Sequence, residues 1–149
     1  MSIFEKYPYI VVEGPIGSGK STLAKLLATK YHASMFSEKA ERNSFLPKFY
    51  EDMQHYALPT QLFFLFQRAN QINELNQKDF FNHGVIADFF LQKDPIFARL
   101  NLDDEEFKLY HQIYEHLELK SPVPDLVIYL QTPVALLKQR LQNRNINYE

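Results

Sequence analysis

Gly14-Pro15-Ile16-Gly17-Ser18-Gly19-Lys20-Ser21 is a complete G-x-x-x-x-G-K-[ST] phosphate-binding loop. It follows the apolar run Tyr9-Ile10-Val11-Val12 and opens a helical pattern over Ser21–Tyr31, the strand–loop–helix setting the motif requires. Small residues let successive backbone N–H groups wrap an anion at a helix N-terminus. Lys20 is placed to neutralise β- and γ-phosphates, and the Ser21 hydroxyl to hold Mg²⁺. The plainer alternative is a glycine turn with Lys20 in solvent. Motif and setting together favour a site for ATP or GTP, without naming the group that receives the phosphate.

Outward from the loop, three more short apolar runs read as strands: Ala33–Phe36, Gly84–Asp88 and Leu126–Gln131. Helical patterns separate them, and this alternation predicts an α/β fold, a P-loop NTPase-type parallel sheet with helices on both faces, in three layers. The 149 residues suit a single domain, with no repeat and no linker. The stretch Ser121-Pro122-Val123-Pro124 reads as a turn into the last strand.

Composition narrows the function classes. A net charge of −2 offers no basic field for nucleic acid. With no Cys, thiolate catalysis, disulfides and cysteine zinc sites are excluded, and a cytoplasmic location is expected. No apolar run approaches the roughly 18 residues of a membrane span, and Met1–Lys6 lacks a signal-peptide core. The 13 Phe and 9 Tyr suit a core and a flat ligand alike. The five His residues show no metal-ligand spacing.

In parallel α/β sheets, ligands bind beyond the carboxyl ends of the strands. Three acids fall there: Glu13 before the loop, Glu38 after the second strand and Asp88 at the end of the third. Phosphoryl transfer needs Mg²⁺, positive charge and a carboxylate facing the attacking hydroxyl. Glu38 suits the carboxylate role and Asp88 the Mg²⁺ shell; the alternative for each is a solvated strand-end acid. Pro59–Gln77 has helical periodicity with Pro59 near its start. Gln61, Phe64 and Arg68 share one face of it, either a stripe able to read a planar base or a solvated helix face. Asp103–Glu106 read as an acidic helix start. Arg140 and Arg144 lie four apart in a helix from about Val134, where they could clamp phosphates.

Phe49-Tyr50-Glu51-Asp52 through Tyr56, Pro59, Gln61 and Arg68, added to the phosphate loop, resembles the nucleoside-binding signature of the deoxyribonucleoside kinases, over nearly the whole chain. The resemblance implies that Tyr50 bonds the deoxyribose 3′-hydroxyl, that Gln61 pairs with the base edge, and that Arg68 contacts or positions groups near it. It makes Glu38 the base for the 5′-hydroxyl and Asp88 the acid of an Asp/Glu-Arg-Ser motif. Asp94 and Phe97 fall where the base is read and stacked. Arg140 and Arg144 resemble the start of an arginine-rich lid, and Glu149 a lid glutamate that reaches the sugar.

Two positions depart from the family pattern. Phe89 stands where the motif has arginine, and Ile146 where the lid has a later arginine. Transition-state charge is therefore expected to rest on Lys20, Mg²⁺, Arg140 and Arg144. The family continues past the lid with a helix and a strand, so the resemblance implies that residues 1–149 lack them and leave core surface uncovered. The expected activity is ATP-dependent phosphorylation of the 5′-hydroxyl of a deoxynucleoside, purine or cytosine favoured, without nucleic-acid or membrane partners. The resemblance also allows a homodimer. The alternatives are a thymidylate-like nucleoside monophosphate kinase and a catalytically weak nucleotide-binding subunit.

Overall fold

Side chains alternate across a strand, and in β1 (Tyr9–Glu13) both sets are apolar, so both faces must be covered. A computed structural model of the chain, describing residues 2–38, 44–77, 83–118 and 120–144, shows how. β1 is central in a four-stranded sheet of order β2-β3-β1-β4, with β2 at Ser34–Phe36, β3 at Val85–Ala87 and β4 at Leu126–Tyr129. All pairings are parallel, with Tyr9 opposite Val85, Ile10 opposite Leu126 and Ser34 opposite Val85.

Ile10, Val12 and Ile86 pack against Phe4 of α1 (Ile3–Lys6) and against Ala24 and Ala28 of α2 (Lys20–Tyr31). Tyr9, Val11, Val85 and Ala87 pack on the other face with Phe36, Phe89 and Leu75. Leu75 belongs to α4 (Met53–Gln77), which follows the short α3 (Leu46–Glu51). A second, purely helical core joins α3 and α4 to α5 (Asp94–Asn101) and α6 (Asp104–Glu118), centred on Leu65, Ala98 and Tyr110. α7 (Val134–Arg144) follows β4.

The parallel α/β expectation holds, with two differences. α4 begins at Met53 rather than near Pro59, which lies inside the helix. Burial of Ala57, Thr60 and Gln61 around the proline outweighs its lost backbone donor. Among the described residues, the sheet is not covered on both faces throughout. Leu126 and Ile128 of edge strand β4 pack toward α2, whereas Val127 and Tyr129 on the opposite face are exposed, Tyr129 by 64%.

The acidic start of α6 is a capping box. The Glu106 N–H donates to Asp103 Oδ1 at 2.8 Å and the Asp103 N–H to Glu106 Oε1 at 3.1 Å. No helix among the described residues is long and apolar enough to cross a membrane.

Candidate functional site

Because the sheet is parallel, Glu13, Glu38 and Asp88 emerge on one edge, beside the phosphate loop. The loop's glycines have steric reasons. Gly19 caps α2 at φ +93°, a left-handed conformation that glycine tolerates, and no side chain caps the helix. The first N–H groups of α2 are therefore open to an anion. A Cβ on Gly14 would come within 2.6 Å of Ser18 Oγ and 3.0 Å of the Leu130 carbonyl oxygen. Ser18 Oγ, packed beside Gly14, is buried and has no hydrogen-bond partner among the described residues.

Lys20 Nζ donates to the Gly14 carbonyl at 3.2 Å. Burial, then the nearby Lys93, lowers the Lys20 pKa from its ordinary value. Arg140 Nη1 donates to the Gly17 carbonyl at 3.1 Å, which ties α7 to the loop. Arg144 ends α7, but its side chain, like residues Ile146 and Glu149, lies outside the described residues.

The acids are held individually. Asp88 is buried; its Oδ2 accepts from the Ser21 hydroxyl at 2.7 Å and its Oδ1 from the Glu38 N–H at 2.6 Å. Burial raises its pKa despite these bonds. Glu38 Oε1 accepts from Arg68 Nη2 at 2.6 Å, with the Arg68 side chain 4% exposed and that of Glu38 35%. Arg68 also donates to Gln71 Oε1 at 2.9 Å, and Gln71 Nε2 donates to the Ser37 carbonyl at 2.8 Å. The Arg68 guanidinium lies 4.6 Å from the centre of the Phe89 ring. Arg68 thus holds the Glu38 carboxylate from the side of α4.

One cleft of about 1370 Å³ runs from the loop to the face of α4 that carries Gln61 and Phe64. That exceeds the roughly 300–1,000 Å³ of a single-ligand pocket and leaves room for a nucleotide and a nucleoside together. Tyr50, Gln61, Asp94 and Phe97 line it with Lys20, Ser21 and Glu38. The Asp94 carboxylate accepts a hydrogen bond from the Tyr110 hydroxyl. Burial pushes the Asp94 pKa up to about 6, while that bond and the charge of Arg68 oppose the rise.

Two contributors went unread in the sequence. Lys93 closes a 3₁₀ turn, Leu91–Lys93, just beyond β3. Its Nζ bonds Glu13 Oε1, and the Gly14 carbonyl at 3.1 Å. Position after a strand end was its only signal. Gln71, three residues past Arg68, offered helical spacing and nothing more. The cations near the loop are therefore more numerous than Lys20 and Arg140.

The family model for deoxynucleoside kinases matches residues 10–149. A deoxyguanosine kinase of Bacillus subtilis is 35% identical over 144 residues, 95% of this chain and 69% of the relative. A deoxyadenosine kinase of Lactobacillus acidophilus is 31% identical over 150 residues, 94% of this chain and 68% of the relative. The chain therefore spans about two thirds of the length of these curated relatives. A structure of M. mycoides deoxyadenosine kinase, with product dCMP and a flexible dCDP bound, superposes with a TM-score of 0.80 at 25% identity, covering 94% of this chain and 72% of that one.

Proposed function

The chain belongs to the deoxynucleoside kinase family, and from there we propose that it transfers the γ-phosphoryl group of ATP to the 5′-hydroxyl of a deoxynucleoside, with a purine or cytosine base favoured. The observation that carries this reading is the Arg68–Glu38–Asp88–Ser21 chain of hydrogen bonds, which aligns an acceptor-side carboxylate with the phosphate loop in one cleft.

The 5′-oxygen attacks the γ-phosphorus, the bond to the β–γ bridging oxygen breaks, and ADP leaves with that electron pair. Glu38 takes the hydroxyl proton and passes it to solvent. Arg68 keeps the Glu38 carboxylate turned to the cleft, so that proximity and orientation lower the barrier. Lys20, the open N-terminus of α2 and Arg140 of the lid helix supply positive charge to the phosphates.

The donors present suit Mg²⁺. Ser21 Oγ and Asp88 are hard oxygens already 2.7 Å apart, and no cluster of three His, Asp or Glu that could hold a metal occurs among the described residues. Mg²⁺ characteristically takes one or two protein oxygens and the substrate's phosphates, and it neutralises phosphate charge when bound.

On the acceptor side, Tyr50 is read as the 3′-hydroxyl partner, Gln61 and Asp94 as readers of the base edge, and Phe97 as its stacking surface. The relatives' names, deoxyguanosine and deoxyadenosine kinase, favour a purine. A kinase for nucleoside monophosphates would need a cation for the acceptor's phosphate. Arg68, the cation nearest Gln61 along α4, is already bound to Glu38, which weighs against that reading.

The test is direct: incubate the protein with ATP, Mg²⁺ and each of the four deoxynucleosides, with thymidylate as a fifth acceptor, and assay monophosphate or diphosphate. Folded protein that yields no monophosphate from any deoxynucleoside refutes the reading; thymidine as best acceptor by kcat/KM refutes the base preference.

A further inference from the structure

Lys93 and Glu13 are eighty residues apart and meet only because the turn after β3 folds back over the end of β1. An ammonium group has three protons to donate. Lys93 uses one on Glu13 Oε1 and one on the Gly14 carbonyl at 3.1 Å. No oxygen or nitrogen acceptor takes the third among the described residues; the ammonium lies 5.4 Å from the centre of the Phe97 ring, and the side chain, 25% exposed, lines the cleft. Lys20 donates to the same Gly14 oxygen at 3.2 Å. Two ammonium groups therefore share one carbonyl at the mouth of the phosphate loop, no farther apart than those two contacts allow.

Like charges held this close repel, and Lys93 is the nearby charge that most lowers the proton affinity of Lys20. Glu13 offsets one charge of the pair. A polyphosphate would offset both. The other cation beside the acceptor carboxylate, Arg68, is bound to Glu38 and lies 4.6 Å from the centre of the Phe89 ring, so it is not free to reach the phosphates.

We propose that Lys93 is a second catalytic cation of the phosphoryl transfer, donating its remaining proton to an oxygen of the donor's γ-phosphoryl group beside Lys20. This rests on the kinase reading above. No covalent bond to Lys93 forms: the ammonium keeps its protons and stabilises charge that builds up as the γ-phosphoryl group moves from the β–γ oxygen to the 5′-oxygen. The competing explanation is a structural ion pair that fastens the Leu91–Lys93 turn to β1.

Steady-state kinetics of Lys93→Met, Lys93→Arg and Glu13→Gln with MgATP and deoxyguanosine or deoxyadenosine separate the two. A cation acting on the transferred group is worth about a hundredfold or more in kcat. Lys93→Met should lose that much kcat with the nucleoside KM within threefold of wild type, and Lys93→Arg, which keeps the charge, should recover to within about tenfold. Glu13→Gln, which breaks the ion pair but leaves the cation, should retain most of the wild-type kcat.

A Lys93→Met enzyme with kcat within threefold of wild type overturns the proposal. So does a loss that Glu13→Gln reproduces and Lys93→Arg does not repair, because that is the signature of the structural pair. If Lys93→Met fails to fold, Lys93→Gln replaces it, with the melting temperature as the check. A wild type without turnover on any deoxynucleoside defeats the kinase reading instead; calorimetry with ATP alone then decides, and unchanged affinity in Lys93→Met counts against Lys93 facing the phosphates.

Discussion

Asp94→Asn should remove a pH dependence of stability whose size follows from where the carboxylate sits. Asp94 begins α5, faces the cleft and accepts the Tyr110 hydroxyl. Burial raises its pKa from 3.8 to about 6. The unfolded chain therefore releases this proton more readily than the folded one. The sign follows: Asp94 costs nothing below pH 3.8, its ionisation erodes stability as pH climbs toward 6, and the loss is constant above that. At about 1.4 kcal/mol per pKa unit, the loss totals about 3 kcal/mol.

Asparagine does not ionise and keeps an oxygen for the Tyr110 hydroxyl. Urea unfolding of wild type and Asp94→Asn at pH 4, 5, 6 and 7 should show the variant gaining about 2.4 kcal/mol on wild type across that range, a shift of about 5–10 °C in Tm for a chain of this size. Groups that titrate alike in both proteins cancel in the difference. A gap that stays within 1 kcal/mol at every pH would refute the reasoning and mean that the Asp94 carboxyl is hydrated in the folded protein. The same pKa leaves Asp94 largely ionised above pH 7, an acceptor suited to the amino and ring N–H groups of a base.

Two further outcomes are expected. Lys20→Ala should lower kcat by about a hundredfold or more and weaken ATP measurably in calorimetry, because it removes an ammonium from the start of α2; full ATP affinity in the variant would contradict the donor site. Arg68→Met should lower kcat about 10- to 100-fold through misplacement of Glu38. It should also lower stability by about 1–3 kcal/mol through the lost hydrogen bonds and the contact with Phe89; an unchanged kcat would remove Arg68 as the positioning group.

What was legible beforehand was local. β1 and the loop are consecutive in the chain, and their chemistry is written in which residues are apolar, small or cationic. The start of α6 was legible because Asp103 and Glu106 bond each other three residues apart. Pro59 misled because its helix-breaking preference is local, whereas the packing of Ala57 into the helical core and the burial of Thr60 and Gln61 beside it are set by the tertiary fold. The run Leu126–Gln131 by itself did not show that Tyr129 is exposed, because an apolar run carries no record of which face lacks a neighbour.

The site divides the same way. Residue types and spacings by themselves determined a phosphate-binding loop, an α/β sheet that brings strand-end acids to one edge, and a family resemblance that made Glu38, Gln61 and Asp94 candidates. Only the tertiary structure decided that Arg68 bonds Glu38, that Ser21 meets Asp88, and that Lys93 joins Lys20 at Gly14. Those partners are thirty to eighty residues apart, and a linear pattern records helical or strand periodicity but not which distant side chains the packing of the sheet brings within hydrogen-bonding distance.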